Sequence, residues 1–303
     1  MWVGINAGFG TPIGTSWPFI ESVGFHFVRQ DIPVDATDRV LTALLSEFVG
    51  RRTKLLALLG GGTNRTRAGR RIEPNVFAAL GGRVARVAAA LGVDPLIEVG
   101  NEPDIGHPEY ASRPGDFAAA VSMTRGALRQ AGFHGAVVSG GISNLSRERL
   151  EYLAAMVRAG LPSDVILGVH RYPHGFSAEQ PHPGFADRDA EWRRLTEIAG
   201  ARDVAVTEVG HHTAPRGRRR LGLFGRRRRL TEEEVARDVL FDLEFFRDRG
   251  CLMTAVYQIN DGKTSRPVDR YGLRDASGRA KPAVEAVRRF IRGADSLNDL
   301  PAT

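Results

Sequence analysis

The sequence predicts a closed (β/α)8 barrel, and three observations lead to that class. Short apolar, β-branched stretches alternate with amphipathic ones from one end of the chain to the other, a pattern that calls for a parallel sheet covered by helices. The alternation runs through eight units with no ninth strand, which favours closure over an open sheet. Two of the apolar stretches then stop abruptly at a glutamate, Glu102 and Glu208, where the chain should leave the sheet. At 303 residues the chain is long enough for one such barrel, typically ~250 residues. A doubly wound open sheet is the alternative arrangement.

The elements justify themselves in order. A first strand, Trp2 to Ala7, enters at once, and a Gly/Pro-rich turn leads to a short helix near Trp17–Val23. The second strand is Phe25 to Asp31, after which Asp35 or Thr37 caps a helix through Phe48. Lys54 to Leu59 forms the third strand and runs into three glycines. Pro74 suits the first turn of an alanine-rich helix that reaches Leu91. The fourth strand, starting at Leu96, ends in Asn101-Glu102-Pro103. Proline cannot donate to a ladder and pushes the residue before it into an extended conformation, so Glu102 is expected at the carboxyl end of the strand.

The second half repeats the scheme. Asp116 to Ala131 reads as helix, Gly135 to Gly140 as the fifth strand, and Ser146 to Ala159 as a helix with a capping pattern at Ser146. The sixth strand, Val165 to His170, leads into Arg171-Tyr172-Pro173, and a helix follows from about Asp187 to Ala199. The seventh strand, from Asp203, carries Glu208 and ends at Gly210. Thr231 with three glutamates after it starts a clear helix. The eighth strand is Leu252 to Gln258, and Pro282 opens a last helix to about Arg292. No linker or change of composition divides the chain. One domain over residues 1–293 is expected, with a frayed tail over 294–303.

Composition narrows the class. Apolar residues make up 42% and charged residues 25%, ordinary values for a globular protein. No stretch approaches the ~18–20 continuous apolar residues of a membrane span. The first residues lack the basic segment of a leader, which points to a cytoplasmic protein, or to a secreted one whose leader has been removed. A single cysteine, Cys251, excludes an internal disulfide and a cysteine metal cluster. The net charge of +7 comes almost wholly from arginine, and eight arginines fall between Arg216 and Arg229.

Ligands of barrels and open α/β sheets bind at the carboxyl ends of the strands. There the chain places Asn6, Arg29, Asp31, Asn101, Glu102, His170, Tyr172, Glu208, Tyr257, Gln258 and Asn260. Buried polar groups are costly without a purpose, so their gathering at one rim points to a site. Paired carboxylates are what glycosidic cleavage needs: one protonates the leaving oxygen and the other attacks or activates water.

With these residues in place, the chain resembles the retaining glycoside hydrolases of clan A, whose catalytic glutamates end strands four and seven. Families five and thirty-nine belong to that clan. The resemblance rests on Arg29, Asn101-Glu102-Pro103, His170-Arg171-Tyr172, Thr207-Glu208 and the closing run from Tyr271 to Ala283, and it covers essentially the whole chain. It implies Glu102 as general acid and then base, and Glu208 as nucleophile, held ionised by Arg29 and the Tyr172 hydroxyl. Asn101 would bond the sugar 2-hydroxyl, and His170 would orient Glu102 or contact the sugar. Tyr257 and Gln258 stand where such enzymes often carry a tryptophan under the sugar, and glycines replace a histidine after the third strand. The substrate implied is a carbohydrate, and no metal or cofactor is called for.

Two other readings compete. A metal-dependent barrel hydrolase could draw on His170, His174, Glu208, His211 and His212. A non-catalytic barrel could bind glycans or polyanions through the stretch Arg216–Arg229, which follows the strand bearing Glu208; nucleic acid is the less favoured polyanion. The same arginines could instead grip an acidic polysaccharide that the glutamates cut.

Overall fold

In the computed structural model, residues 1–7, 13–60, 73–107, 109–173, 177–213, 230–262, 264 and 269–295 are described. The eight expected strands form: β1 (Trp2–Asn6), β2 (Phe27–Ile32), β3 (Lys54–Leu59), β4 (Leu96–Val99), β5 (Val137–Ser139), β6 (Leu167–Arg171), β7 (Val204–Val209) and β8 (Met253–Val256). Helices follow each in turn or precede the next: α1 (Trp17–Val23), α2 (Asp38–Ser46), α3 (Pro74–Leu91), α4 (Pro114–Gln130), α5 (Arg147–Arg158), α6 (Arg188–Ala199), α7 (Glu232–Asp248) and α8 (Pro282–Asp295). All strand pairs are parallel, and β8 pairs with β1. Bridges from Val138 to Ile166 and from Ile142 to Val169 join β5 to β6. The sheet is thus a (β/α)8 barrel, as the alternation requires.

Thr37, not Asp35, caps α2, and its hydroxyl accepts from the Val40 amide. Thr231 caps α7 in a full capping box with Glu234. Ser146 precedes α5 but its side chain makes no capping bond. Ala294 and Asp295, expected in the tail, continue α8; the rest of the tail lies outside the described residues. So do His174 and the stretch Arg216–Arg229.

Strand alternation sorts the core into two shells. Val3, Ile5, Val28, Ile97, Val99, Leu167, Val169, Val206 and Val209 point outward and pack under the helices. Phe27, Leu56, Leu96, Val138, Ile166, Ala205, Met253 and Ala255 point inward and fill the lower barrel. Climbing β2 on the inner face, Phe27 gives way to Arg29 and then Asp31. On β4, Leu96 gives way to Glu98. The polar site therefore rests directly on an apolar plug.

Candidate active site

Arg29 is the centre of the site. It is 4% exposed, and burial of such a cation is costly unless it is paired and fully hydrogen-bonded. It is both. Nε donates to Glu98 Oε2 at 2.5 Å and Nη2 to Glu98 Oε1 at 3.0 Å. Nη2 also donates to Asn101 Oδ1 at 2.7 Å, and Nη1 to Asn6 Oδ1 at 2.9 Å and Glu208 Oε1 at 2.5 Å. A guanidinium has five N–H groups, and here five contacts use them. Burial alone would lower its pKa, but Glu98 and Glu208 outweigh that and raise it.

Glu208 reaches this ring because β7 is irregular. Val206 pairs with Thr254 of β8 and Val209 with Val256, so three steps on one strand oppose two on the other. Val206 and Val209 both face outward, leaving Thr207 and Glu208 between them where strict alternation allows one residue. The bulge turns Glu208 into the barrel opposite His170. Gly210 follows, and a β-carbon there would stand 2.8 Å from the Tyr271 ring and 3.0 Å from that of Tyr172. Only a bare backbone lets those rings close on the glutamate.

Glu208 is 7% exposed, and its carboxylate is well supplied with donors. Besides Arg29, the Tyr172 hydroxyl donates to its Oε2, and His170 Nδ1 stands 3.6 Å from the same atom. Burial would raise its pKa, but the charges of His170 and Arg29 and the hydrogen bonds from Tyr172 and Arg29 hold it below the usual carboxylate range. Burial and the adjacent Glu208 push the Tyr172 phenol well up, so it donates and stays neutral. Tyr172, Tyr257 and Tyr271 pack edge to face with ring centroids 5.3 to 5.9 Å apart and wall this side of the site.

Glu102 lies beyond β4, which ends at Val99. The extended conformation expected before Pro103 is not adopted: Glu102 has φ 47°, in the left-handed region. Its backbone bonds hold that turn, with its N–H donating to the Gly141 carbonyl at 3.0 Å and its carbonyl accepting from Ile105 at 3.0 Å and Gly106 at 2.6 Å. Such a conformation persists only where the surroundings over-determine it, and functional sites are common places for it. The side chain is 26% exposed and sits 3.2 Å from His170 Nδ1. His170 is fixed in turn by Gly141, where a β-carbon would collide with the imidazole Nε2. Burial would lower the His170 pKa, but Glu208 and Glu102 together raise it. One carboxylate oxygen each from Glu102 and Glu208, and one ring nitrogen of His170, lie within 4.8 Å of one another.

Of the eleven rim residues singled out by sequence, Asn6, Arg29, Asp31, Asn101, Glu102, His170, Tyr172, Glu208 and Tyr257 come together at this end of the barrel, while Asn260 accepts from Arg274. Gln258 does not join them by its side chain among the described residues; its backbone bonds Tyr271 and Leu273 instead. Two residues were missed. Glu98, fully buried, is the bidentate partner of Arg29, and Tyr271 arrives on the segment before α8. Asp31, expected at the rim, lines one small cavity with Arg29, Asn101, Glu208 and Tyr257. Burial, with Glu208 and Glu98 adding to it against Arg29, pushes Asp31 up to about 7.

The alternative metal set separates in part. His211 faces Asp242 at 2.6 Å and Asp238 at 3.6 Å, and His212 packs on Tyr271 with centroids 5.0 Å apart. Arg171, outward between the two inward residues His170 and Tyr172, joins that same buried network behind the barrel through Glu191 at 3.6 Å. Among the described residues no helix is long and apolar enough to cross a membrane.

No protein-family model matches the sequence, and no curated protein matches it. Solved structures do. A family 39 glycoside hydrolase from Bacteroides cellulosilyticus WH2 superposes with a TM-score of 0.70 at 14% identity, over 95% of this chain and 62% of that one. The exo-β-1,4-mannosidase Op5Man5 from Opitutaceae bacterium strain TAV5 gives 0.66 at 17% identity, over 98% and 60%. This chain thus spans about three fifths of the length of both. An endo-β-1,4-glucanase from Xanthomonas axonopodis pv. citri gives 0.64 at 12% identity, over 96% and 99% of the two chains. What the chain shares with these three glycoside hydrolases, over nearly its whole length, is the fold of their barrels.

Proposed function

We propose that the protein is a retaining glycoside hydrolase that cleaves β-glycosidic bonds of an oligo- or polysaccharide by double displacement. The observation that carries this reading is the spacing of two carboxylates in unlike surroundings. Oxygens of Glu102 and Glu208 approach within 4.8 Å. Double displacement uses carboxyls about 5–5.5 Å apart, whereas inversion needs ~6.5–9.5 Å to admit a water.

The division of labour follows from the neighbours. Glu208, ionised and gripped by Arg29 and Tyr172, attacks the anomeric carbon. Glu102, partly exposed beside His170, gives its proton to the leaving oxygen. It then takes a proton from the water that hydrolyses the glycosyl ester, freeing Glu208. Asn101 has its carbonyl oxygen committed to Arg29, which leaves its amide hydrogens for the sugar 2-hydroxyl, a bond that strengthens as oxocarbenium character develops. His170 holds Glu102, and Tyr257 offers a half-buried ring to the sugar. The chemistry asks for no cofactor.

Incubation with activated 2-deoxy-2-fluoro β-glycosides, followed by peptide mass spectrometry, tests the reading. A stable adduct on Glu208 is expected, absent in Glu208→Gln, and proton NMR of a natural-sugar digest should show the β-anomer released first. First release of the α-anomer would sink double displacement.

A further inference from the structure

Resting on that reading, we propose that the sugar ring seated against Glu208 is a neutral one, and that Asp31 is the residue that excludes a uronic acid from this position. Two features of the cavity point there. A carboxylate on a sugar is normally met by a guanidinium with free N–H groups, which pair with it bidentately. Arg29 is the cation of this cavity among the described residues, and its donors are all committed: two contacts to Glu98 and one each to Asn6, Asn101 and Glu208. A uronate would find it closed.

Among the described residues, the other charged side chains lining this cavity, Asp31 and Glu208, are of the wrong sign for an acidic guest. Asp31 follows Arg29 by two residues on β2, so it shares the inner face and rises toward the opening of the barrel. No hydrogen bond reaches its carboxylate among the described residues. The titratable groups around it are Arg29 on its own strand, Glu98 on β4, Glu208 on β7 and Tyr257 after β8. A carboxylate on a sugar in this cavity would lie beside the carboxylates of Asp31 and Glu208. Like charges about 4 Å apart repel by about 1–4 kcal/mol, depending on how much water remains between them. Neutral hydroxyls instead find in Asp31 an acceptor with both oxygens unused. Acidic groups elsewhere along a polymer are not excluded by this cavity.

The test uses matched pairs of 2-deoxy-2-fluoro glycosyl fluorides, neutral and uronic, in the gluco, galacto and manno configurations, with the rate of Glu208 labelling as readout. The unsubstituted protein should label with a neutral member at least ~100-fold faster than with its uronic counterpart at pH 8, and the ratio should shrink as pH falls from 8 to 5.5 and Asp31 takes up its proton. In Asp31→Asn the ratio should fall at least ~10-fold at pH 8 and lose its pH dependence, which a merely structural residue would not do. The pH series on the unsubstituted protein stands without the variant, should that fail to fold. Equal labelling by both members, or a ratio that is flat with pH in the unsubstituted protein, overturns the role of Asp31 while the hydrolase reading survives. Labelling by none of the sugars overturns the hydrolase reading, and this inference with it.

Discussion

Asp31→Asn should make the protein more stable, and only at pH values where the aspartate would be charged. An aspartate ordinarily titrates near 3.8, and in the folded barrel Asp31 is held up to about 7. Below pH 3.8 both the folded and the unfolded chain carry the proton, and the residue has no effect on stability. Between 3.8 and 7 the unfolded chain releases its proton while the folded one keeps it, so each pH step favours unfolding by about 1.4 kcal/mol. Above 7 the loss is complete, at about 4 kcal/mol. Asparagine is nearly isosteric, carries no charge and forfeits no side-chain hydrogen bond. Substitution should therefore recover a large part of that amount at pH 8 and roughly 1.5 kcal/mol at pH 5. In a chain of this size 1 kcal/mol moves the melting midpoint by roughly 2 °C, so the variant should melt higher by up to about 8 °C at pH 8 and up to about 3 °C at pH 5. Paired urea or thermal melts at the two pH values measure it. A gain that is the same at both, or a loss at pH 8, would refute the reasoning.

Three further outcomes follow from the same contacts. Tyr172→Phe removes a donor to Glu208, so the Glu208 pKa should rise and the acid limb of kcat/KM should move to higher pH, because the nucleophile must be ionised; an unmoved acid limb would show that Arg29 and His170 suffice. Glu98→Gln breaks a fully buried pair with Arg29 and should lower stability by about 3–5 kcal/mol, less whatever one retained acceptor restores, as read by urea denaturation. Treatment with EDTA should leave glycoside turnover unchanged, and a loss restored by a divalent ion would favour a metal-dependent hydrolase, with Glu102, His170 and Glu208 as the group close enough to hold the ion.

The strand-end glutamates were legible because each closes an apolar run, and alternation alone separates inward His170 and Tyr172 from outward Arg171. Glu98 was hidden in the run Leu96-Ile97-Glu98-Val99, where it reads as one polar interruption of a buried strand. Its meaning depends on Arg29, a residue two strands away in the barrel, and no local pattern carries that pairing. The β7 bulge was equally silent. Alternation from Ala205 would aim Thr207 inward and Glu208 outward, and the inserted step that corrects this is set by pairing with β8. At Glu102 a strong local preference pointed the wrong way. The bias imposed by Pro103 toward extended backbone is overridden by bonds to Gly141, Ile105 and Gly106, which belong to the folded loop.

If Glu208 is the nucleophile proposed above, the geometry at Arg29 also accounts for how it could lose its charge and regain it. Glu98 takes the Nε–Nη2 edge of the guanidinium by two bonds, whereas Glu208 holds a single bond from Nη1. A nucleophile gripped on both oxygens by Arg29 would have to surrender two charge-assisted bonds as it attacks. Here it surrenders the better part of one. In the proposed double displacement an ester on Glu208 would carry no negative charge, and an arginine paired with it alone would be left as an uncompensated cation in the barrel, a costly state. Glu98 remains charged through that stage and keeps Arg29 neutralised. The second carboxylate, Glu98, fully buried on β4, would then make the proposed covalent intermediate electrostatically tolerable. Among the described residues Asp31 has no such counterweight to itself, since the guanidinium beside it, Arg29, is already shared by Glu98 and Glu208. Its charge would therefore be available to act on whatever enters the cavity, and a loss of stability above neutral pH would be the physical trace of that availability.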